Sequence, residues 1–513
     1  IKALQLILLI AFGCQHNNWI CVSCSDFLET PPLANPSDAT FWTSYDRAEM
    51  WVNNAYKDLP GWQDYSFEPM SDNSAGPGRG NCNLVANGTF ESTTNIVSYK
   101  WGYTYIRHCL ELLNKLEIIP NLTAEEKNNL AGQARFIIAM RYFEMITLYR
   151  DVPLVTSVLS MDESDIEKSP KEEVLKYLLE QLNLAIDELP VSWPASDAGR
   201  ATKGAALALK ARVLLYNERW SEAAEAAKGV MDLNAYELHP NYDELFLTAF
   251  NNQTKEVILA RQYAENLETH TMCFAHGFYT IGGSSLSMPL PDLVNSYECS
   301  DGLPITESSL FDPQNPWENR DPRFKMNFIV PFETFAGVTY DPINNQHDGL
   351  AAKTYVYFRK YIGDMYTQQR SMWVNWIIFR YADVLLMYAE AKNEASGPDA
   401  SIYDALDQVR KRAGMPVVDR NRYNTQDKLR EFIRNERRVE LAGEGLRYYD
   451  ILRWRIAEKV LNKEIVSYEI PGVLPLKIIE TRVFNPNKHY VWPLPQSAID
   501  KAKNLVQHSE WLK

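Results

Sequence analysis

The chain has 513 residues, with 52 Lys and Arg against 66 Asp and Glu and a formal charge of −14 at pH 7. That acidity argues against nucleic acid as a partner. The length alone suggests about three domains, and a 46% hydrophobic content supplies a large core.

Near the start, Lys2 and the apolar run of residues 4–12 read as the charged and apolar regions of an export signal. The run is too short to cross a bilayer as a helix. Two cysteines follow a small residue, Cys14 after Gly13 and Cys24 after Ser23. A small residue there is what a lipoprotein signal peptidase accepts, although Ala11 and Cys21 stand where Leu is usual. The alternative is a secretory signal with ordinary cysteines, but the residues that follow favour lipidation. The seven cysteines are scattered and form no disulfide framework.

Residues 38–57 carry helical spacing through Phe41, Trp42, Ala48, Val52 and Ala55. Residues 60–98 lose it. They hold Gly, Asn, Ser and Thr around Trp62, Tyr65, Phe67, Met70 and Phe90. A loop this long in a compact domain is usually functional, and its aromatics argue against disorder. Helical spacing resumes over 99–119. Thr123-Ala124-Glu125-Glu126 is a capping-box signature and opens a long helix to Tyr149. Ser169-Pro170 starts another, which ends before Pro190.

Residues 201–233 predict a helical hairpin. Thr202 caps a run from Lys203 to Tyr216 that is dense in alanine. Asn217-Glu218-Arg219 allows only a tight reversal. Ser221 is placed to cap the returning helix, which carries Trp220, Ala223, Ala224, Ala227, Val230 and Met231 on one stripe. This is the tetratricopeptide pattern, and one such pair cannot bury its own apolar face.

Residues 236–373 change character, with Gly, Pro and aromatics predicting short strands, loops and at most short helices. Helices return at Trp376, with a stripe from Ala382 to Ala391 that ends near Gly397-Pro398. Residues 403–413 pair with it. Residues 425–442 and 446–457 make a further pair broken at Gly443 and Gly445.

No catalytic signature is present: no HExxH, no GxSxG and no Walker loop. Gly76-Pro77-Gly78-Arg79-Gly80 lacks the Lys-Ser/Thr of a phosphate cradle. His270, Cys273 and His276 have ligand-like spacing but want a fourth ligand, so packing is the better reading and no metal or cofactor is assigned. Glu436 and Glu440 stand among Arg434, Arg437 and Arg438, which reads as interhelical salt bridges rather than a glycosidase pair.

Taken together, the motifs resemble the SusD/RagB family, surface lipoproteins of Bacteroidetes nutrient-uptake systems. The resemblance rests on Cys24-Ser25-Asp26-Phe27-Leu28-Glu29, Ala139-Met140-Arg141-Tyr142-Phe143, Tyr149-Arg150-Asp151-Val152-Pro153, Asn319-Arg320-Asp321-Pro322-Arg323-Phe324, Arg380-Tyr381-Ala382-Asp383-Val384-Leu385-Leu386, Arg434-Asn435-Glu436-Arg437-Arg438 and Trp492-Pro493-Leu494-Pro495. It departs at Ala502-Lys503-Asn504-Leu505, where the family commonly reads Asn-Pro-Asn-Leu.

The resemblance implies a mainly α fold with about four tetratricopeptide-like helix pairs and an irregular loop-rich region with short strands. It divides the chain into a lipoprotein signal (1–23), an extended tether (24–37) and one SusD-like domain (38–513). Helix pairs are expected over 38–233 and 376–457, with a ligand-binding region over 234–375 and the 60–98 loop. It implies lipidation at Cys24, with Cys14 as the rival, and an outer-membrane, cell-surface location. It also implies binding without catalysis and delivery of a nutrient to a SusC-like TonB-dependent transporter. An oligosaccharide is the expected ligand; the alternatives are a peptide or other nutrient, or a protein-interaction scaffold.

A sugar site needs flat aromatics for the C–H faces and planar polar groups for paired hydroxyls. The 60–98 loop offers Trp62 and Tyr65, then Asp72, Asn73, Arg79, Asn81 and Asn83.

Overall fold

The structure, a computed structural model, describes residues 41–78, 80–351, 353–363 and 371–512. The signal, both candidate anchor cysteines, the tether and Arg79 lie outside these residues.

The scaffold is helical. Helix α1 is Tyr45–Ala55, α2 Thr104–Lys115, α3 Ala124–Tyr149 and α4 Lys171–Glu188. Thr123 and Glu126 form the expected capping box at the start of α3: the Glu126 amide donates to Thr123 Oγ1 at 3.2 Å, and the Thr123 amide donates to the Glu126 carboxylate at 2.8 Å. Two orphan amides of the first turn are thereby satisfied. From Leu130 onward nearly every α3 side chain is buried, so α3 is a central helix and has no polar face to expose. It ends where Arg150 turns to φ 62°.

The hairpin is α5 (Lys203–Tyr216) and α6 (Trp220–Asp232). Thr202 Oγ1 accepts from the Ala205 amide at 3.1 Å. Ala205, Ala206, Ala208 and Ala211 are fully buried, and their small side chains let α5 and α6 approach closely. The start of α6 differs from expectation. Trp220 is already helical and Arg219 is its N-cap without a side-chain bond, so Ser221 caps nothing. The reversal is completed by Glu218 at φ 57°, and the helix starts two residues earlier than a Ser221 cap would place it. Trp220 is half-buried at the margin of the core.

Beyond the loop-rich middle come α7 (Tyr381–Ser396), α8 (Ala400–Arg412), α9 (Gln426–Glu440) and α10 (Arg447–Arg453). α2 packs on α3, α3 on α4, α4 on α5, α5 on α6, α6 on α7, and α7 on α8 and α9. The two halves of the helical sequence are thus one continuous stack.

Residues 376–380 are a correction. They form the strand Trp376–Arg380, antiparallel to Val257–Arg261, and the helix starts only at Tyr381. All five residues are buried, and Trp-Ile-Ile-Phe is β-branched and aromatic, a composition suited to a covered strand.

A buried ionic network joins α7–α10 to the middle region. Arg323 donates to Glu436 at 2.7 Å and to Glu440 at 2.8 Å. Arg380 reaches Glu440 at 2.6 Å, Glu256 at 3.0 Å and Glu444 at 2.7 Å. Arg410 bridges Glu298 and Glu436, both at 2.9 Å. Glu436 and Glu440 are therefore the interhelical ion-pair partners that their arginine-rich setting indicates. Removing water from these charges is costly, and the cost is offset only because each finds several partners.

Candidate ligand-binding site

The segment following α1 winds as a tight 3-10 helix over Trp62–Met70. Its inner side is tied to the scaffold. Asp64 accepts from Tyr99 at 2.6 Å and from Lys100 at 2.8 Å, and Lys100 also reaches Glu144 of α3 at 2.5 Å. Burial pushes the Asp64 carboxyl upward against the pull of Lys100. Glu68, fully buried, accepts from the Gly445 amide at 3.0 Å and from Asn73 Nδ2 at 3.0 Å. Gly445 has φ 75°, and a Cβ there would stand 2.5 Å from the Asp64 carbonyl oxygen. Only glycine fits where the α9–α10 junction meets the segment.

Asp72 and Asn73 belong to the same anchoring. Asp72 is 2% exposed and takes a bidentate pair from Arg447 at 2.8 and 2.9 Å, with Arg438 at 3.1 Å. Burial alone would raise its carboxyl, but the Arg438 and Arg447 guanidiniums outweigh burial and hold it well below the usual range. Asn73 Oδ1 accepts from Arg438 at 2.7 Å, and its carbonyl accepts from the Leu290 amide at 2.8 Å. Next to it, Ser74–Ala75 pairs with Met288–Pro289. Both residues hold the segment in place from behind.

The outer side is aromatic. Trp62 and Tyr65 are half-buried, with rings 9° from parallel and centroids 5.8 Å apart. Rings in face contact lie about 3.5–4 Å apart, so this spacing means a lateral offset of roughly 4–5 Å. The pair is a half-buried step at the margin of the core. His270 lies along Trp62 at 5.8 Å and 21°, and His276 meets Tyr65 edge-on at 5.6 Å. Tyr263 braces the arrangement: its hydroxyl accepts from the Trp62 amide at 3.2 Å, and its ring meets His270 at 4.7 Å.

The two histidines are structural here. His270 Nε2 donates to the Val374 carbonyl at 2.9 Å and its Nδ1 accepts from the Met272 amide at 3.3 Å. His276 Nδ1 donates to the Lys360 carbonyl at 3.3 Å. Burial lowers both rings to about 4, so both are neutral near pH 7. Among the described residues, no three His, Cys, Asp or Glu side chains come together as a metal cluster.

Asn81 opens the short helix Asn81–Ala86 and is half-buried. Asn83 is 5% exposed and donates to Glu480 at 3.1 Å. The turn between them and Asn73 is cradled by Lys353, whose ammonium donates to the Pro77 carbonyl at 2.7 Å. A second exposed aromatic pair, Tyr279 and His347, stacks at 5.5 Å and 22° on the loop-rich side. Of the seven residues singled out in the sequence, the fold thus leaves Trp62, Tyr65 and Asn81 half-buried and commits Asp72, Asn73 and Asn83 to internal contacts.

Tyr263 and the Tyr279–His347 pair escaped sequence reasoning. Their signal was only the aromatic richness of 236–373. Tyr263 lies 201 positions from the amide it receives.

The comparisons agree with this architecture. A family model described as "SusD family" matches residues 255–511, and one described as "Starch-binding associating with outer membrane" matches 26–215. A SusD-like carbohydrate binding protein of Bacteroides fragilis superposes with a TM-score of 0.83 at 29% identity, over 91% of this chain and 100% of that one. Another SusD-like protein of Bacteroides fragilis gives 0.82 at 28%, over 93% and 99%. The SusD-like protein P2 of Formosa agariphila is 26% identical over 95% of this chain and 96% of its own length. With the helix stack, the loop-rich middle and the matched residues in agreement, the chain belongs to the SusD family.

Proposed function

We propose that this chain is a nutrient-binding lipoprotein of the outer-membrane surface, that it takes a glycan, and that it passes the glycan to a SusC-like TonB-dependent transporter. The observation that carries the reading is the stepped, half-buried pair Trp62 and Tyr65 on a segment anchored from behind by ion pairs. Offset aromatic rings offer apolar faces to the C–H surface of a sugar, and rigid anchoring keeps the ordering cost of binding low. Asn81 opens the short helix that packs on the Trp62–Met70 segment and is offered as a hydrogen-bonding group, with Arg79 and Asn83 flanking it in sequence. Asp72 and Asn73 act on the ligand through the position of the segment. The printed description of the relative from Bacteroides fragilis, "carbohydrate binding protein", supports the same ligand class.

Chemistry on the ligand is not part of this reading. Anchoring falls to Cys24, or to Cys14 as the rival, through a tether over 24–37 that precedes the 38–513 domain. Among the described residues no helix is long and apolar enough to cross a membrane.

The test is titration calorimetry across panels of glycans and peptides. Binding to a glycan, lost in Trp62→Ala, is the expected result. Binding only to peptides, or to neither panel, contradicts it. For the anchor, Cys24→Ala is expected to free folded protein from the outer membrane. Release in Cys14→Ala instead moves the anchor there, and retention in the double variant removes it.

A further inference from the structure

An apolar groove of about 460 Å³ lies at the start of α2, away from the aromatic step. Trp101, Tyr103, Val155, Leu159, Met161 and Ala502 line it. Met161 is 91% exposed, an unusual position for an unbranched apolar side chain with nothing over it. Trp101 and Tyr103 meet edge-on at 5.7 Å and 74°, so the groove has an aromatic wall. Arg107, exposed on α2, donates to the Leu159 carbonyl at 2.7 Å and sets positive charge at the mouth.

The N-terminal end of the described residues lies near the same helix, α2. The described residues begin at Phe41, whose ring meets Trp51 at 5.4 Å. Trp51 in turn stacks on His108 at 4.1 Å, and His108 is the neighbour of Arg107 on α2. The entry point is therefore two ring contacts from His108, which stands next in sequence to the groove-lining Arg107. Residues 30–36 read Thr-Pro-Pro-Leu-Ala-Asn-Pro. Ten residues of extended chain span at most about 33–36 Å, so these positions are well within reach of Phe41. Three prolines favour the polyproline conformation, which docks in aromatic-lined apolar grooves at low ordering cost. Asp26, Glu29 and Asp38 flank the segment and complement Arg107.

We infer that residues 30–36 of this chain occupy the groove formed by Trp101, Tyr103, Met161 and their neighbours. Docking fixes where the N-terminal portion leaves the folded body, and so how the body is oriented toward whatever that portion is attached to. The inference needs neither lipidation nor a glycan, so it stands or falls separately from the proposed function.

The experiment uses the full chain carrying Cys24→Ala, with a benzophenone amino acid in place of Leu33. After irradiation, the crosslinked peptides are identified by mass spectrometry. The expected product is a crosslink within one chain to peptides covering residues 153–166 or 498–505. In the Met161→Asp background its yield is expected to fall about tenfold, because a charge replaces an apolar contact at an exposed position that folding does not use. Crosslinks mapping elsewhere, or an unchanged yield with Met161→Asp, overturn the inference. Crosslinked dimers overturn it as well, by assigning the groove to a second copy of the chain.

Discussion

At the scale of single residues, buried charges decide more than their number suggests. Asp383 lies between Arg212 at 2.6 Å and Arg437 at 2.6 Å. Burial by itself would raise its carboxyl; the two guanidiniums overcome burial and hold it at about 2. The folded value lies below the unfolded one, so its stabilisation is complete above about pH 4–5 and is lost as pH falls toward 2. A shift of this size corresponds to about 2 kcal/mol. Asp383→Asn is expected to remove much of the acid-side loss of stability between pH 5 and 2, and to destabilise the protein at pH 7 by about 3–5 kcal/mol through the unpaired arginines. Urea midpoints as a function of pH check both; a pH profile unchanged by the substitution contradicts the assignment. The Glu436 and Glu440 pairings were legible in sequence as a type of interaction, because arginines surround them. Their partners Arg323 and Arg410 were not, since nothing local links residue 323 to residue 436. The same limit applied at the site. Trp62 and Tyr65 were readable as aromatics in a loop, but the bracing hydroxyl of Tyr263 is a long-range contact that no periodicity announces.

At the scale of elements, helix caps are legible in the sequence at Thr123 and Thr202 but not at Ser221, where the turn through Glu218 starts the helix at Trp220. Thr123 and Thr202 cap α3 and α5 as the sequence indicates, because a cap needs only residues three apart. Thr123→Ala is expected to cost about 1 kcal/mol, seen as a lower urea midpoint at constant slope. Trp220→Ala is expected to cost about 2 kcal/mol, below the 3–5 of a fully buried aromatic, because the ring is half-buried at the core margin. A loss as large as full burial gives would mean that the ring lies deeper than this. The misread element, Trp376–Arg380, had no distinguishing periodicity. Five consecutive buried residues suit a covered strand and a core helix equally, and the pairing that decides lies in Val257–Arg261. Gly445 is where element and site meet. Gly445→Ala forces a Cβ to 2.5 Å from a backbone oxygen at a positive φ. It is expected to destabilise the fold and displace the Trp62–Met70 segment, which hydrogen exchange of that segment would reveal.

At the scale of the whole molecule, the helix stack acts as a frame. α3 carries Glu144 to Lys100 and so to Asp64, while α9 and α10 carry Arg438 and Arg447 to Asp72. Around the first of these attachments, at Asp64, the 3-10 segment carries Trp62 and Tyr65, both half-buried at the margin of the core. The family-level architecture was accessible from sequence because its motifs mark helix packing and ion pairs. The ligand was not, because the side chains that face outward are free of those packing constraints. The central claim is that the aromatic step binds a glycan, and the most direct measurement is calorimetric titration of the protein and its Trp62→Ala variant against a glycan panel. The account predicts that the unaltered protein binds a glycan and that Trp62→Ala, still folded but at a stability cost like that of Trp220→Ala, weakens that binding at least about tenfold, the loss of roughly 1.4 kcal/mol or more of stacking. Equal affinity in the two proteins would contradict it.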